Sequence, residues 1–108
     1  MSAPTSAMTF RWNDQVFTIE MPETRAKALA DVETERARQD AYWGGPVHDD
    51  NHSATEWCLI LNARLGKASE AAIDRDFPEA RRRLIQIAAV AVAAVESLDR
   101  LSEEGGLR

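Results

Sequence analysis

The stretch Leu84-Ile85-Gln86-Ile87-Ala88-Ala89-Val90-Ala91-Val92-Ala93-Ala94-Val95 decides the fold. Leu84, Ile87, Ala88, Ala91 and Val95, continued by Leu98 and Leu101, recur at the i, i+3, i+4, i+7 spacing of one helix face. Ile85, Ala89, Val90, Val92 and Ala93 make the middle of the run apolar nearly all round, so the helix needs walls on several sides. It is interrupted by Gln86 and too short to span a bilayer, which takes roughly 18 to 20 apolar residues. Pro78-Glu79 opens this helix and Gly105-Gly106 stops it, giving a predicted span of 78–104 with Leu84 to Leu101 as the core stripe.

Working upstream, Ser53-Ala54-Thr55-Glu56 is a capping box that starts a helix predicted over 53–73. Trp57, Ile60, Leu61, Arg64, Leu65 and Ala68 recur along it at helical spacing, and Gly66 weakens it by about 1 kcal/mol relative to alanine. An earlier helix is predicted over 22–43, with Pro22 in its first turn and Glu23 favouring its positive end. Its apolar residues Ala26, Leu29, Val32, Ala37 and Ala41 are small and sparse, whereas Glu33, Arg36 and Asp40 share a stripe that is either solvated or functional. Trp43-Gly44-Gly45-Pro46 ends it, and a polar loop follows through His52.

Residues 8–20, MTFRWNDQVFTIE, alternate around Asn13-Asp14, a pair that tolerates left-handed turn conformations. A hairpin with a two-residue turn sets Trp12 opposite Gln15 and Phe10 opposite Phe17, so Phe10, Trp12, Phe17 and Ile19 share a face expected to pack on the helices. Residues 1–7 read as a loose tail without the charged and apolar regions of a secretory signal. The predicted fold is therefore mainly α: an N-terminal β-hairpin, then a three-helix unit, in one domain over 8–108. A chain of 108 residues buries only about two-thirds of its unfolded surface, so dimerisation through the last helix into a larger bundle is expected.

The net charge of −5 and a pI near 5.0 argue against binding a nucleic-acid polymer, and no stretch suggests a membrane. A lone cysteine, Cys58, fits a reducing cytoplasm and is expected to be a buried thiol. Only residues 58–84 carry a net positive charge, from Arg64, Lys67, Arg75, Arg81, Arg82 and Arg83.

Three stretches together carry a family resemblance. They are Glu35-Arg36-Ala37-Arg38-Gln39 with Trp43-Gly44, a His-Asp loop leading to Glu56-Trp57-Cys58-Leu59-Ile60-Leu61, and Arg83 to Glu96. Over roughly residues 33–101 the chain resembles the short, often phage-associated relatives of MazG-type all-α nucleoside triphosphate pyrophosphohydrolases. The resemblance implies helical dimers or tetramers that hold a nucleotide, with Mg²⁺ bound by an EExxE motif on one helix and an ExxD or ExxQ-like motif on the next. Glutamates three and four apart share a helix face, and their hard oxygens suit a Mg²⁺ that bridges phosphates.

Here those acids are missing. Laid on the first motif, the chain offers Ala63, Arg64 and Lys67; on the second, Arg83, with only Gln86 kept in pattern. Glu96-Ser97-Leu98-Asp99 spells ExxD but has no EExxE to face it. Three cations in place of carboxylates bind phosphate oxygens directly and do not generate a metal hydroxide.

The leading expectation is thus a degenerate MazG-like domain that binds a nucleotide or other phosphate-bearing ligand with little or no hydrolysis and no resident metal or cofactor. Its phosphate-binding residues would be Arg64, Lys67, Arg83 and Gln86, joined by Glu35, Arg36, Arg38, Gln39, Trp43, His48 and Asp49. A Mg²⁺-dependent pyrophosphohydrolase drawing on Asp40, Asp49, Asp50 and Glu56 is one alternative; a protein-interaction or inhibitor module with a vestigial pocket is another. Each candidate also has a plain reading. Glu79 can neutralise Arg83 at i, i+4, the His48 to His52 loop can be a polar helix lead-in, and Trp43 and Trp57 can simply pack. With the helix starting at Ser53, His48 and His52 are not expected to share a helical face.

Overall fold

The computed structural model describes residues 5–103. The chain is mainly helical behind an N-terminal hairpin: β1 (Thr5–Trp12), β2 (Gln15–Pro22), α1 (Glu23–Trp43), α2 (Pro46–Asp49), α3 (Ala54–Ile73) and α4 (Phe77–Glu103). Four helices stand where three are expected, the addition being the four-residue α2, which starts with Pro46 at its first position after Gly45. Residues 5–7 belong to β1 and not to a tail. Residues 1–4 of that tail and the glycines 105 and 106 expected to end the last helix lie outside the described residues. The contacts divide the chain into two compact units, one ending at Asp31 and one beginning at Val32.

In the first unit the hairpin has the predicted register. Trp12 pairs with Gln15 and Phe10 with Phe17, and the Phe10 and Phe17 rings stack with centroids 5.6 Å apart. Asn13 (φ 49°) and Asp14 (φ 63°) both sit in the left-handed region, as a two-residue turn matched to the strand twist requires. Met8, Phe10, Trp12, Phe17 and Ile19 are all exposed, Trp12 at 68%, so the covering expected of this face is not supplied by the hairpin itself.

The second unit is organised by α3 against α4. Trp57 forms its centre with Val90, Ala93 and Ala94, flanked by Ile60 and Leu61. The capping box at its start is complete: the Glu56 amide donates to Ser53 Oγ and the Ser53 amide to Glu56 Oε1, both at 3.1 Å. The expected core stripe of the last helix is out of phase. Ala89, Val90, Ala93, Ala94 and Ser97 are buried, while Leu84 and Val95 are more than half exposed and Val92 is exposed. The indole of Trp57 packs with Val90, Ala93 and Ala94, where the two alanines leave room for it, while Leu84, Val92 and Val95 stay outside. Cys58, expected to be buried, is exposed, because it follows Trp57 on α3 and so lies off the core-facing side.

α3 ends in a Schellman motif. The Arg75 amide donates to the Ala72 carbonyl (3.1 Å) and the Asp76 amide to that of Ala71 (2.9 Å), with Arg75 at φ 59°. A side chain at this left-handed position is strained, so Arg75→Gly should stabilise the fold by about 1 kcal/mol. Urea denaturation of the two proteins reads the difference; a lower midpoint for the glycine variant would contradict it.

Candidate functional site

The site lies in the second unit and begins with an inverted helix. The buried residues of α1 are Arg36 and Gln39, with Asp40 half-buried beside them, while Ala37 and Ala41 are exposed. Arg36 is 8% exposed; its Nη2 donates to Asp40 Oδ1 at 2.8 Å, and its Nε lies 3.6 Å from Glu96 Oε1 on α4. Gln39 Nε2 donates to Glu35 Oε2 (2.9 Å) and to the Gln86 carbonyl (3.4 Å). These contacts join α1 to α4 through polar groups, which are costly to bury unless paired. The group of Gln86 that meets Gln39 is its backbone oxygen.

Two glycines then turn the chain. Gly44 (φ 106°) and Gly45 (φ 66°, ψ −145°) adopt conformations that other residues reach only with strain. The reversal sets the ring of Trp43 on that of His48, stacked at 5.6 Å. His48 meets His52 edge-on at 5.1 Å, and His52 meets Trp57 edge-on at 4.8 Å. His52 lies outside α2, so the two histidines share no helical face, yet their rings meet because α2 and the turn after it keep 46–52 coiled before the capping box begins.

A cluster behind this loop fixes its position. Ser97 Oγ, fully buried, donates to Asp50 Oδ1 at 2.8 Å, and Arg100 grips the same carboxylate through Nη2 (2.7 Å) and Nε (3.2 Å to each oxygen). The Arg100 and Ser97 hydrogen bonds hold the Asp50 carboxyl below its ordinary range. Asp49, 7% exposed, points back to His48, whose Nδ1 is 3.2 Å from its Oδ1.

These elements enclose a cavity of about 240 Å³. Trp43, His48, His52 and Trp57 line it with rings, Ile60, Val90 and Ala93 add apolar surface, and Arg36, Gln39, Asp40, Asp49 and Arg64 supply the polar groups. Beside it a more open depression is lined by Ile60, Ala63, Arg64, Lys67 and Arg83, so Arg64 belongs to both. Of the residues singled out from sequence, Arg36, Gln39, Trp43, His48, Asp49 and Arg64 meet in the cavity, and Lys67 and Arg83 meet Arg64 in the depression.

Glu35 and Arg38 form a bidentate pair (2.6 and 2.7 Å) beside the cavity and do not line it. The Glu35 carboxyl is held below its ordinary range chiefly by Arg38, with Gln39 and the positive charge of Arg64 adding to the effect. Asp40, His52 and Trp57 also line the cavity. Asp40 could be found from its i, i+4 relation to Arg36, whereas the grip of Ser97 and Arg100 on Asp50 spans 47 to 50 residues and leaves no local signal.

The arginine run at the start of α4 is largely neutralised in place. Glu79 accepts from Arg82 (2.6 and 2.9 Å) and from Arg83 Nε (2.8 Å). Chiefly through Arg82, this lowers its carboxyl to about 2. Among the described residues, Arg64 and Lys67 form no salt bridge, so they are the cations in this region most open to an incoming anion.

Of the carboxylates in the Mg²⁺-dependent alternative, Asp40 accepts from Arg36, Asp49 lies against His48, Asp50 accepts from Arg100 and Ser97, and Glu56 caps at Ser53. Among the described residues no group of three or more His, Cys, Asp or Glu side chains is placed to hold a metal ion. Nor is any helix there long and apolar enough to cross a membrane. Compared with family models, curated proteins and solved structures, the chain matches none.

Proposed function

We propose that the second unit binds a nucleotide or a related phosphate-bearing ligand and does not hydrolyse it, as a degenerate MazG-like domain would. The observation that carries this reading is the position of Arg64, shared between an aromatic-walled cavity and a depression that also holds Lys67. An arginine there offers a planar fork to phosphate oxygens, and Lys67 adds a point charge beside it. Arg83, tied to Glu79, contributes positive potential more than a free fork. The cations Arg64, Lys67 and Arg83 at the positions where the resemblance implies carboxylates support binding over turnover.

Dimerisation belongs to the same proposal. Leu84, Val92 and Val95 place exposed apolar surface on the α4 face turned away from Trp57, and a second copy is the partner that would cover it in a helical bundle. Such a protein would work in the cytoplasm, where nucleotides are abundant.

The test is a thermal-shift and calorimetric screen of the pure protein against nucleoside mono-, di- and triphosphates, with and without Mg²⁺, with the same mixtures assayed for pyrophosphate. At about 100 times Kd, linkage stabilises by about 2.7 kcal/mol and raises Tm by roughly 10 °C. That shift without Mg²⁺ and without pyrophosphate is the expected result. Mg²⁺-dependent turnover would replace this reading with the pyrophosphohydrolase, and silence throughout would move the function to a protein partner, for which the hairpin's exposed face is the available surface.

A further inference from the structure

Trp57 is 5% exposed, and its indole Nε1 is buried without a hydrogen-bond partner among the described residues. An unsatisfied buried donor is destabilising, and native structures keep few of them. This one belongs to a side chain that lines the cavity. Around it stand flat rings: His52 edge-on at 4.8 Å, His48 beyond it, and Trp43 stacked on His48.

Resting on the binding reading above, we infer that the cavity selects a planar heteroaromatic group carrying a hydrogen-bond acceptor on its edge, such as a ring nitrogen or carbonyl oxygen, and that the Trp57 indole N–H is the donor that reads it. The two observations are independent. The ring-lined wall calls for a flat partner, because aromatic faces attract others by stacking and by edge-to-face contact. The unpartnered donor calls for an acceptor, which a plain phenyl or alkyl group lacks.

A cavity of about 240 Å³ has room for a single base-sized ring system and leaves the phosphates outside. Arg64, common to the cavity and the depression, stands where the two parts of such a ligand would join. Because Nε1 is covered in the unliganded chain, the acceptor arrives by displacing a neighbouring ring. We assign that movement to His52, which packs edge-on against Trp57 and touches His48, with Glu56 approaching at 3.7 Å. A ligand without the acceptor leaves the donor as unsatisfied as it is in the free chain, and so forgoes the gain of one hydrogen bond.

The experiment uses the full chain, labelled with ¹⁵N, and four probes: the common ribonucleosides, their triphosphates, phenyl phosphate and inorganic tripolyphosphate. At least one nucleoside should shift the Trp57 indole N–H resonance, while tripolyphosphate leaves it in place. Trp57→Phe keeps a ring in the core and removes the donor; it should weaken nucleoside and nucleotide binding about tenfold and leave tripolyphosphate binding within about twofold of the parent. The resonance is read in the unaltered protein, so the test stands even where the variant folds poorly.

Tripolyphosphate binding as tightly as every triphosphate, or phenyl phosphate moving the Trp57 indole resonance as the best nucleoside does, would overturn the inference. So would nucleoside binding that ignores the loss of the N–H; the donor would then be satisfied by a trapped water alone. Each of these results leaves anion binding at Arg64 standing. Failure of tripolyphosphate and nucleotides alike to bind would remove the binding reading itself.

Discussion

Replacing Arg64 by Glu is expected to reduce affinity for a phosphate-bearing ligand by about two orders of magnitude, since a charge-assisted hydrogen bond of about 1.5–3 kcal/mol is lost and a repulsion is added. Arg64 stands alone in this respect because it serves both the cavity and the depression and forms no salt bridge among the described residues. Its one resolved electrostatic tie is to Glu35, whose carboxyl it helps keep low, so the reversed charge would also face that carboxylate. Arg64→Gln separates the effects: it removes the fork without adding repulsion and should still cost about tenfold. Arg83→Ala should cost less than either, because its guanidinium is already engaged by Glu79. Calorimetry with the ligand identified by the screen ranks the three. Equal binding by parent and Arg64→Glu would place the anion elsewhere.

The second large effect is on stability. Ala93 is 3% exposed and packs with Trp57, Val90 and Ala94. Ala93→Leu forces three extra carbons into that contact and should cost roughly 1–3 kcal/mol. That is a substantial share of the 5–15 kcal/mol that holds a domain of this kind together. Tm should fall by about 10 °C, read by circular dichroism, with Val90 and Trp57 losing their fixed packing. Leu84→Lys on the opposite face supplies the contrast: it should leave the stability of the isolated chain within about 0.5 kcal/mol and act instead on the oligomeric state, read by light scattering. An Ala93→Leu protein as stable as the parent would mean that the helices are not packed around Trp57.

The contrast between these two positions shows what the sequence conveyed and what it did not. The elements themselves were legible, because their signals are local: Asn13-Asp14 at a two-residue turn, a capping box at Ser53, glycines where α1 stops. The phase of α4 was not. A helix apolar on every side has no unique inner face, and weighting the larger residues picked Leu84 and Val95 when the core formed where alanines leave room for an indole.

The site was half legible for a related reason. Arg36, Gln39, Trp43, His48, Asp49 and Arg64 stood out by type and spacing, and they converge. The buried face of α1 was open to either reading from its pattern, because polar residues facing inward look the same on a helical wheel as polar residues facing water. The meeting of His48 with His52 depended on α2, a single helical turn whose only sequence marks are Gly45 and Pro46.

The series of rings from Trp43 to Trp57 also has an optical consequence. The chain has three tryptophans, and two of them belong to the cavity while Trp12 sits 68% exposed on the hairpin. Intrinsic emission is therefore a sum of a blue component from the enclosed indole of Trp57, a component from Trp43 in contact with an imidazole, and a red, solvent-like component from Trp12. With Trp12 replaced by phenylalanine, the remaining fluorescence would come from the cavity wall alone, and the protein would carry its own dye where the proposed ligand would sit.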